Sequence, residues 1–145
     1  MPDRLTPAPK LTPAPRPVWQ DDHYTVLVDE PLGILWNVRT SRPFASVEEL
    51  EAVKATLCRV LDGLGRSRYS LLVDVRAAPG RNDPSFEAAL ERIRPRWLRG
   101  FRRVGVLVQS VVGALQIQRY ARQDGIERLI TTDEAALLRY LTEAG

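Results

Sequence analysis

Residues 69–73 (YSLLV) form a short apolar run bounded by charge, and a helical pattern opening at Asp83 and Pro84 follows it after one polar loop. A run of this length flanked by helical segments reads as an interior strand buried on both faces. A strand that feeds a helix needs a parallel strand to receive it, so this unit commits the chain to a sheet built with right-handed crossovers. Residues 104–108 and 126–130 supply the later strands. Asp83 offers the helix an N-cap oxygen, and Pro84 fits the first turn, where a missing N–H is harmless. Phe86, Ala89, Leu90 and Ile93 give this helix its inward face, and Pro95 is expected to stop or bend it.

The segments on either side extend the pattern. Residues 24–28 and 34–38 are rich in β-branched and aromatic residues and are separated by Glu30, Pro31, Leu32 and Gly33, a hairpin signature. Ser46, with Glu49 three residues later, opens a capping box, and Val47, Leu50, Val53, Leu57, Val60, Leu61 and Leu64 recur at helical spacing over 47–64. Val111, Val112, Leu115, Ile117 and Tyr120 favour a third helix; Thr131 with Glu134 caps a terminal helix carrying Ala135, Leu138 and Leu141. The expected order is β-β-α-β-α-β-α-β-α. It describes an α/β domain with a five-stranded, mixed, mostly parallel sheet covered by about four helices.

At 145 residues and 44% hydrophobic content, the chain can bury one core without metals or disulfides. Residues 5–10 (LTPAPK) and 11–16 (LTPAPR) repeat imperfectly, so residues 1–18 are expected to be a flexible proline-rich tail and 19–145 the folded domain. No apolar signal core or membrane-length apolar stretch is evident, which places the chain in the cytoplasm by expectation. Cys58 lies in an apolar helical pattern and reads as a packed thiol.

The order of elements, together with Val73, Asp74 and Val75 at a strand end and Asp83, Pro84 and Ser85 at the next helix start, resembles the STAS superfamily and, within it, the anti-anti-sigma or SpoIIAA-like proteins. The resemblance covers about residues 22–144. In partner-switching members, the helix begins with an Asp-Ser-Ser-Gly-like sequence in which one serine is phosphorylated. Asp83 is similar to the motif aspartate and Ser85 to the second serine, whereas Pro84 stands at the first serine and Phe86 replaces the glycine. The resemblance implies a partner or regulatory surface of Asp74, Asp83, Ser85 and Phe86, with phosphorylation at Ser85 as its means of control.

Arg92, Arg94, Arg96, Arg99, Arg102 and Arg103 form the strongest basic run, with Trp97 and Phe101 between them. Arg94, Arg96, Arg99, Arg102 and Arg103 are candidates for binding an anion. Nucleic acid is disfavoured, because 21 basic against 18 acidic residues leave a formal charge of only +3. Trp36, Trp97, Phe101 and Tyr120 are available to line an apolar pocket. The sole histidine, His23, has no serine or cysteine pattern beside it, and no metal-ligand cluster or phosphate-cradling glycine motif is present. The reading is therefore a non-enzymatic regulatory or adaptor protein, without cofactor or metal, acting through an unidentified regulatory protein partner. The alternative is a small-ligand or lipid-binding SpoIIAA-like protein, since relatives with helical lids resemble lipid-binding folds. A symmetric homodimer is expected from the prevalence of twofold assemblies.

Overall fold

The computed structural model describes residues 15–80 and 83–143, with the backbone alone at 120–123. Its elements are β1 (Arg16–Gln20), β2 (Tyr24–Asp29), β3 (Ile34–Arg39), α1 (Val47–Leu64), a 3-10 turn (Arg66–Arg68), β4 (Ser70–Asp74), α2 (Pro84–Leu98), β5 (Val104–Leu107), α3 (Val111–Asp124), β6 (Leu129–Thr131) and α4 (Glu134–Thr142). They form a six-stranded sheet whose spatial order is the chain order. β1, β2 and β3 pair antiparallel, and β3 to β6 pair parallel. After β1, the sequence of elements is the one expected, so the mixed, mostly parallel α/β arrangement is present with six strands in place of five.

Right-handed crossovers between strands laid side by side in one direction put every crossover helix on the same face. α1, α2 and α3 therefore share one side of the sheet, and the terminal α4 covers the other. Strand alternation divides the core accordingly. Leu35, Leu71, Val73, Val104 and Val106 join the cluster that includes Leu50, Leu57, Leu61, Phe86 and Trp97, while Ile34, Leu72 and Leu107 pack with Leu137 and Leu141 of α4. No described helix is long and apolar enough to cross a membrane.

Three local expectations need correction, and the tail boundary also moves. Arg16, Pro17 and Val18, assigned by sequence to the tail, belong to β1; residues 1–14 lie outside the described chain. Pro17 is tolerated because β1 is an edge strand with a register shift between Pro17 and Trp19, where a missing donor breaks no ladder on the open side. Pro95 does not stop α2: the helix continues to Leu98 because buried Trp97 and Leu98 anchor its last turn, and the carbonyl left without a donor is that of exposed Glu91. The last strand is Leu129–Thr131, not 126–130, because Asp124 ties down the preceding turn through Ile126 N and Arg128. Thr131 consequently pairs with Leu107 in the sheet, and Asp133 caps α4 in its place, accepting from Ala136 N at 3.1 Å.

The capping box of α1 forms as expected: Ser46 Oγ accepts from Glu49 N at 3.1 Å, and Glu49 Oε1 accepts from Ala45 N at 2.7 Å. On the opposite side of the molecule, Gly105 of β5 lets α4 approach closely, and an added Cβ there would collide with the Leu137 side chain and press on Leu141. Gly105→Ala is expected to lower stability by about 1–3 kcal/mol through overpacking. Urea unfolding measures this directly, and an unchanged midpoint would contradict the close packing of α4 on the sheet.

Candidate functional site

The buried stripe of α1 comprises Leu50, Lys54, Leu57, Cys58 and Leu61. Lys54 stands four residues from Leu50 and from Cys58, so helical periodicity points it at the sheet and not at solvent. It is 2% exposed. Its Nζ lies 3.1 Å from the centroid of the Trp97 ring and 4.7 Å from that of Tyr24. The aromatic faces give the ammonium a favourable quadrupole in place of water. Among the described residues, Lys54 has no hydrogen-bond or ion-pair partner beyond these rings.

Trp97 is fixed from behind: its Nε1 donates to Oδ1 of fully buried Asn37 on β3 at 2.8 Å. Tyr24 packs edge-on against the same indole, with ring centroids 6.2 Å apart. The Arg39 guanidinium lies 4.4 Å from the centroid of the Phe44 ring, and its Nη1 donates to the carbonyls of Thr40 at 2.8 Å and His23 at 3.4 Å. His23 stacks on Phe44 at 4.6 Å, and its Nε2 stands 3.5 Å from Glu49 Oε1, without hydrogen-bond geometry.

Tyr24, Arg39, Phe44, Lys54 and Trp97 border a cavity of about 390 Å³ between the sheet, α1 and α2. Val73 and Val106 contribute its floor from the sheet, Leu50 and Lys54 one wall, and Phe86, Leu90 and Trp97 the wall opposite. Exposed Pro43, Pro79 and Gly80 also line it, so it opens to the surface between these two loops. Arg39 from β3 and Arg94 from α2 bring two further cations to the lining. Burial holds the Lys54 amine well below the ordinary lysine pKa; Cys58 opposes that shift, and Arg39 and Arg94 reinforce it. Burial also pushes the Tyr24 phenol above its usual range, so this hydroxyl remains neutral.

The residues singled out by sequence divide among different places. Trp97 and Phe86 line the cavity, and the Phe86 ring is buried at 6% exposure on the inward face of α2 that its helical spacing implies. Trp36 packs in the second cluster under α4, on the far side of the sheet. Phe101 sits beneath Arg66 at 5.1 Å, and the Tyr120 side chain lies outside the described residues. Arg94 reaches the cavity, whereas Arg96 pairs with Asp62 at 2.6 Å. Arg99, Arg102 and Arg103 share a separate hollow with Phe101, where Arg102 donates to Arg68 O at 2.9 Å and Arg103 pairs with Glu143 at 3.3 Å.

Asp74 and Ser85 are likewise not brought together. The Asp74 carboxylate accepts from the Arg76 backbone N and Nε, each at 3.0 Å, and from its Nη2 at 2.8 Å; Arg76 continues to Glu134 of α4 at 3.5 Å. Asp83 caps α2 on the other face of the sheet, where its Oδ1 accepts from Ser85 N at 3.0 Å and from Ser85 Oγ at 2.7 Å. Ser85 is exposed.

No protein-family model and no curated protein matches the chain. Among solved structures, it is similar to an uncharacterized protein from the DUF3478 family with a SpoIIAA-like fold from Shewanella loihica PV-4, at 15% identity over 88% of this chain and 92% of that one, with a TM-score of 0.49.

Sequence reasoning missed Lys54, Arg39, Tyr24 and Asn37 as site residues. One signal was available for the first: of 21 Lys and Arg residues, only Lys10 and Lys54 are lysines, and Lys54 occupies the centre of an apolar stripe. Replacing this desolvated amine by an apolar chain of similar shape is expected to stabilise the empty protein at neutral pH by about 1–3 kcal/mol in Lys54→Met. Between the lowered folded pKa and the ordinary unfolded value, the unfolded chain holds more protons, so wild-type stability rises with pH across that window, by at most about 1.4 kcal/mol per pH unit. The advantage of Lys54→Met should accordingly shrink as the pH approaches about 10. Urea titrations at several pH values measure it, and a constant gap between the two proteins would contradict the burial of the amine.

Proposed function

We propose that this chain is a non-enzymatic regulatory domain that holds one small apolar molecule between its sheet and α2. The observation that carries this reading is the cavity itself, about 390 Å³ of mostly apolar wall with a mouth at Pro43, Pro79 and Gly80. Its volume falls in the range of small-molecule sites, and a few polar groups converge on an otherwise apolar lining, as such sites require. No paired nucleophile and base accompany the cavity among the described residues, and the reading assigns it a binding role.

A second function, contact with a regulatory protein, is favoured by the two ends of α2. The inner face of this helix places Phe86, Leu90 and Trp97 against the cavity, while its exposed start carries Asp83 and Ser85. A ligand that repositions Phe86 would thereby alter the surface beside Ser85, and phosphorylation there would add charge next to the Asp83 carboxylate. Partner choice and ligand occupancy would then be read from one helix.

Titration of the full chain with the uncharged dye Nile red tests the binding function. One saturable site is expected, and Ala78→Trp, which fills the mouth from a half-buried loop position, should weaken it by about tenfold or more without lowering the urea midpoint. Absence of saturable binding, or equal binding by the variant, would contradict the assignment.

A further inference from the structure

Three cationic side chains of the sheet and its helices reach the cavity wall. Lys54 comes from α1, Arg39 from β3 and Arg94 from α2, and both arginines are within electrostatic reach of Lys54. Glu87, half-buried on α2, is the carboxylate of the lining, and Arg128 is paired with Asp124. The other groups facing the amine are the neutral Tyr24 phenol from β2 and the Cys58 thiol of α1. Arg39 donates to backbone carbonyls and rests on Phe44, which fixes its position. Lys54 has ring faces on two sides and, among the described residues, no oxygen to receive its protons.

A desolvated cation without an acceptor is unfavourable unless another group compensates it. The surroundings of Lys54 are suited to supply that group from a ligand: the amine lies over the Trp97 ring, within electrostatic reach of two guanidinium groups and on the wall of an apolar chamber. Lysine in place of the arginine used almost everywhere else in the chain offers a compact point charge with donors that turn toward an anion.

We propose that the cavity is the site of an amphipathic anion, with one carboxylate or phosphate headgroup at Lys54, beside Arg39 and Arg94, and an aliphatic chain along Val73, Val106, Phe86 and Leu90. This inference rests on the binding function proposed above and names its ligand class. The headgroup supplies the acceptor that Lys54 lacks, and the apolar walls bury the chain. Trp97 keeps the amine at the junction between the two, because its indole is pinned to Asn37. Specificity for an anion over a neutral molecule of the same length therefore resides in Lys54.

Calorimetric titration of the full chain with decanol, decanoate and decyl phosphate tests this assignment. At least one anion is expected to bind about tenfold or more tightly than decanol, the gain typical of a charge-assisted hydrogen bond. Preference for decanoate identifies a fatty-acid-like ligand, and preference for decyl phosphate a phosphate-bearing one. Lys54→Met and, as a polar control, Lys54→Gln should remove the preference, bringing each anion to within about threefold of decanol in the same variant. Equal binding of all three compounds by the wild type would overturn the inference and leave the apolar-cavity reading standing. Failure of all three to bind would overturn both, and a preference that survives in the two variants would remove Lys54 from the site.

Discussion

The indole of Trp97 is held by a hydrogen bond from its nitrogen to buried Asn37 and carries the Lys54 ammonium on its face. These contacts join β3, α1 and α2 at one point. The bond to Asn37 Oδ1 satisfies an indole N–H that would otherwise be buried without a partner, and it sets the last turn of α2 against the sheet. That anchoring lets α2 pass through Pro95 without ending. It also leaves space in front of the ring, where a flexible lysine amine rather than a packed hydrocarbon occupies the centre of the α1 stripe. The cavity is the consequence of that choice.

The order of strands assigns the remaining polar groups to their places. With consecutive strands side by side, α1, α2 and α3 crowd one face, and α4 alone covers the other. Asp74, at the end of β4, consequently belongs to the network of Arg76 and Glu134 on the α4 side. Asp83 and Ser85 start a helix on the opposite side. A regulatory surface made from all of them has no common face, but α2 by itself has both an inner wall on the cavity and an exposed end.

Much of this architecture was legible from local rules. Ser46 and Glu49 marked the start of α1, Asp83 and Pro84 that of α2, and the charge-bounded run at 69–73 marked the buried parallel strand. The errors came where tertiary context overrides such rules. Pro17 made an edge strand look like tail, and Pro95 concealed a turn held by its neighbours. The site was less legible than the fold because its key residue breaks the hydrophobic pattern that identifies a helix face. Lys54 reads as solvent-facing by residue type and as buried by position, and a single sequence offers the position only as a period. Arg94 and Trp97 were visible within the basic run, but their separation from Arg96 and Arg103 depends on which side of α2 and which loop each occupies.

Whether Lys54 is a desolvated amine completed by an anion can be read by nuclear magnetic resonance of its side-chain methylene next to Nζ. With only Lys10 and Lys54 in the chain, assignment by comparison with Lys54→Met is simple. In the empty full-length protein, this amine should titrate well below the ordinary lysine value of about 10.4, and saturating decanoate or decyl phosphate should raise its pKa. An ordinary titration that neither anion moves would contradict the account.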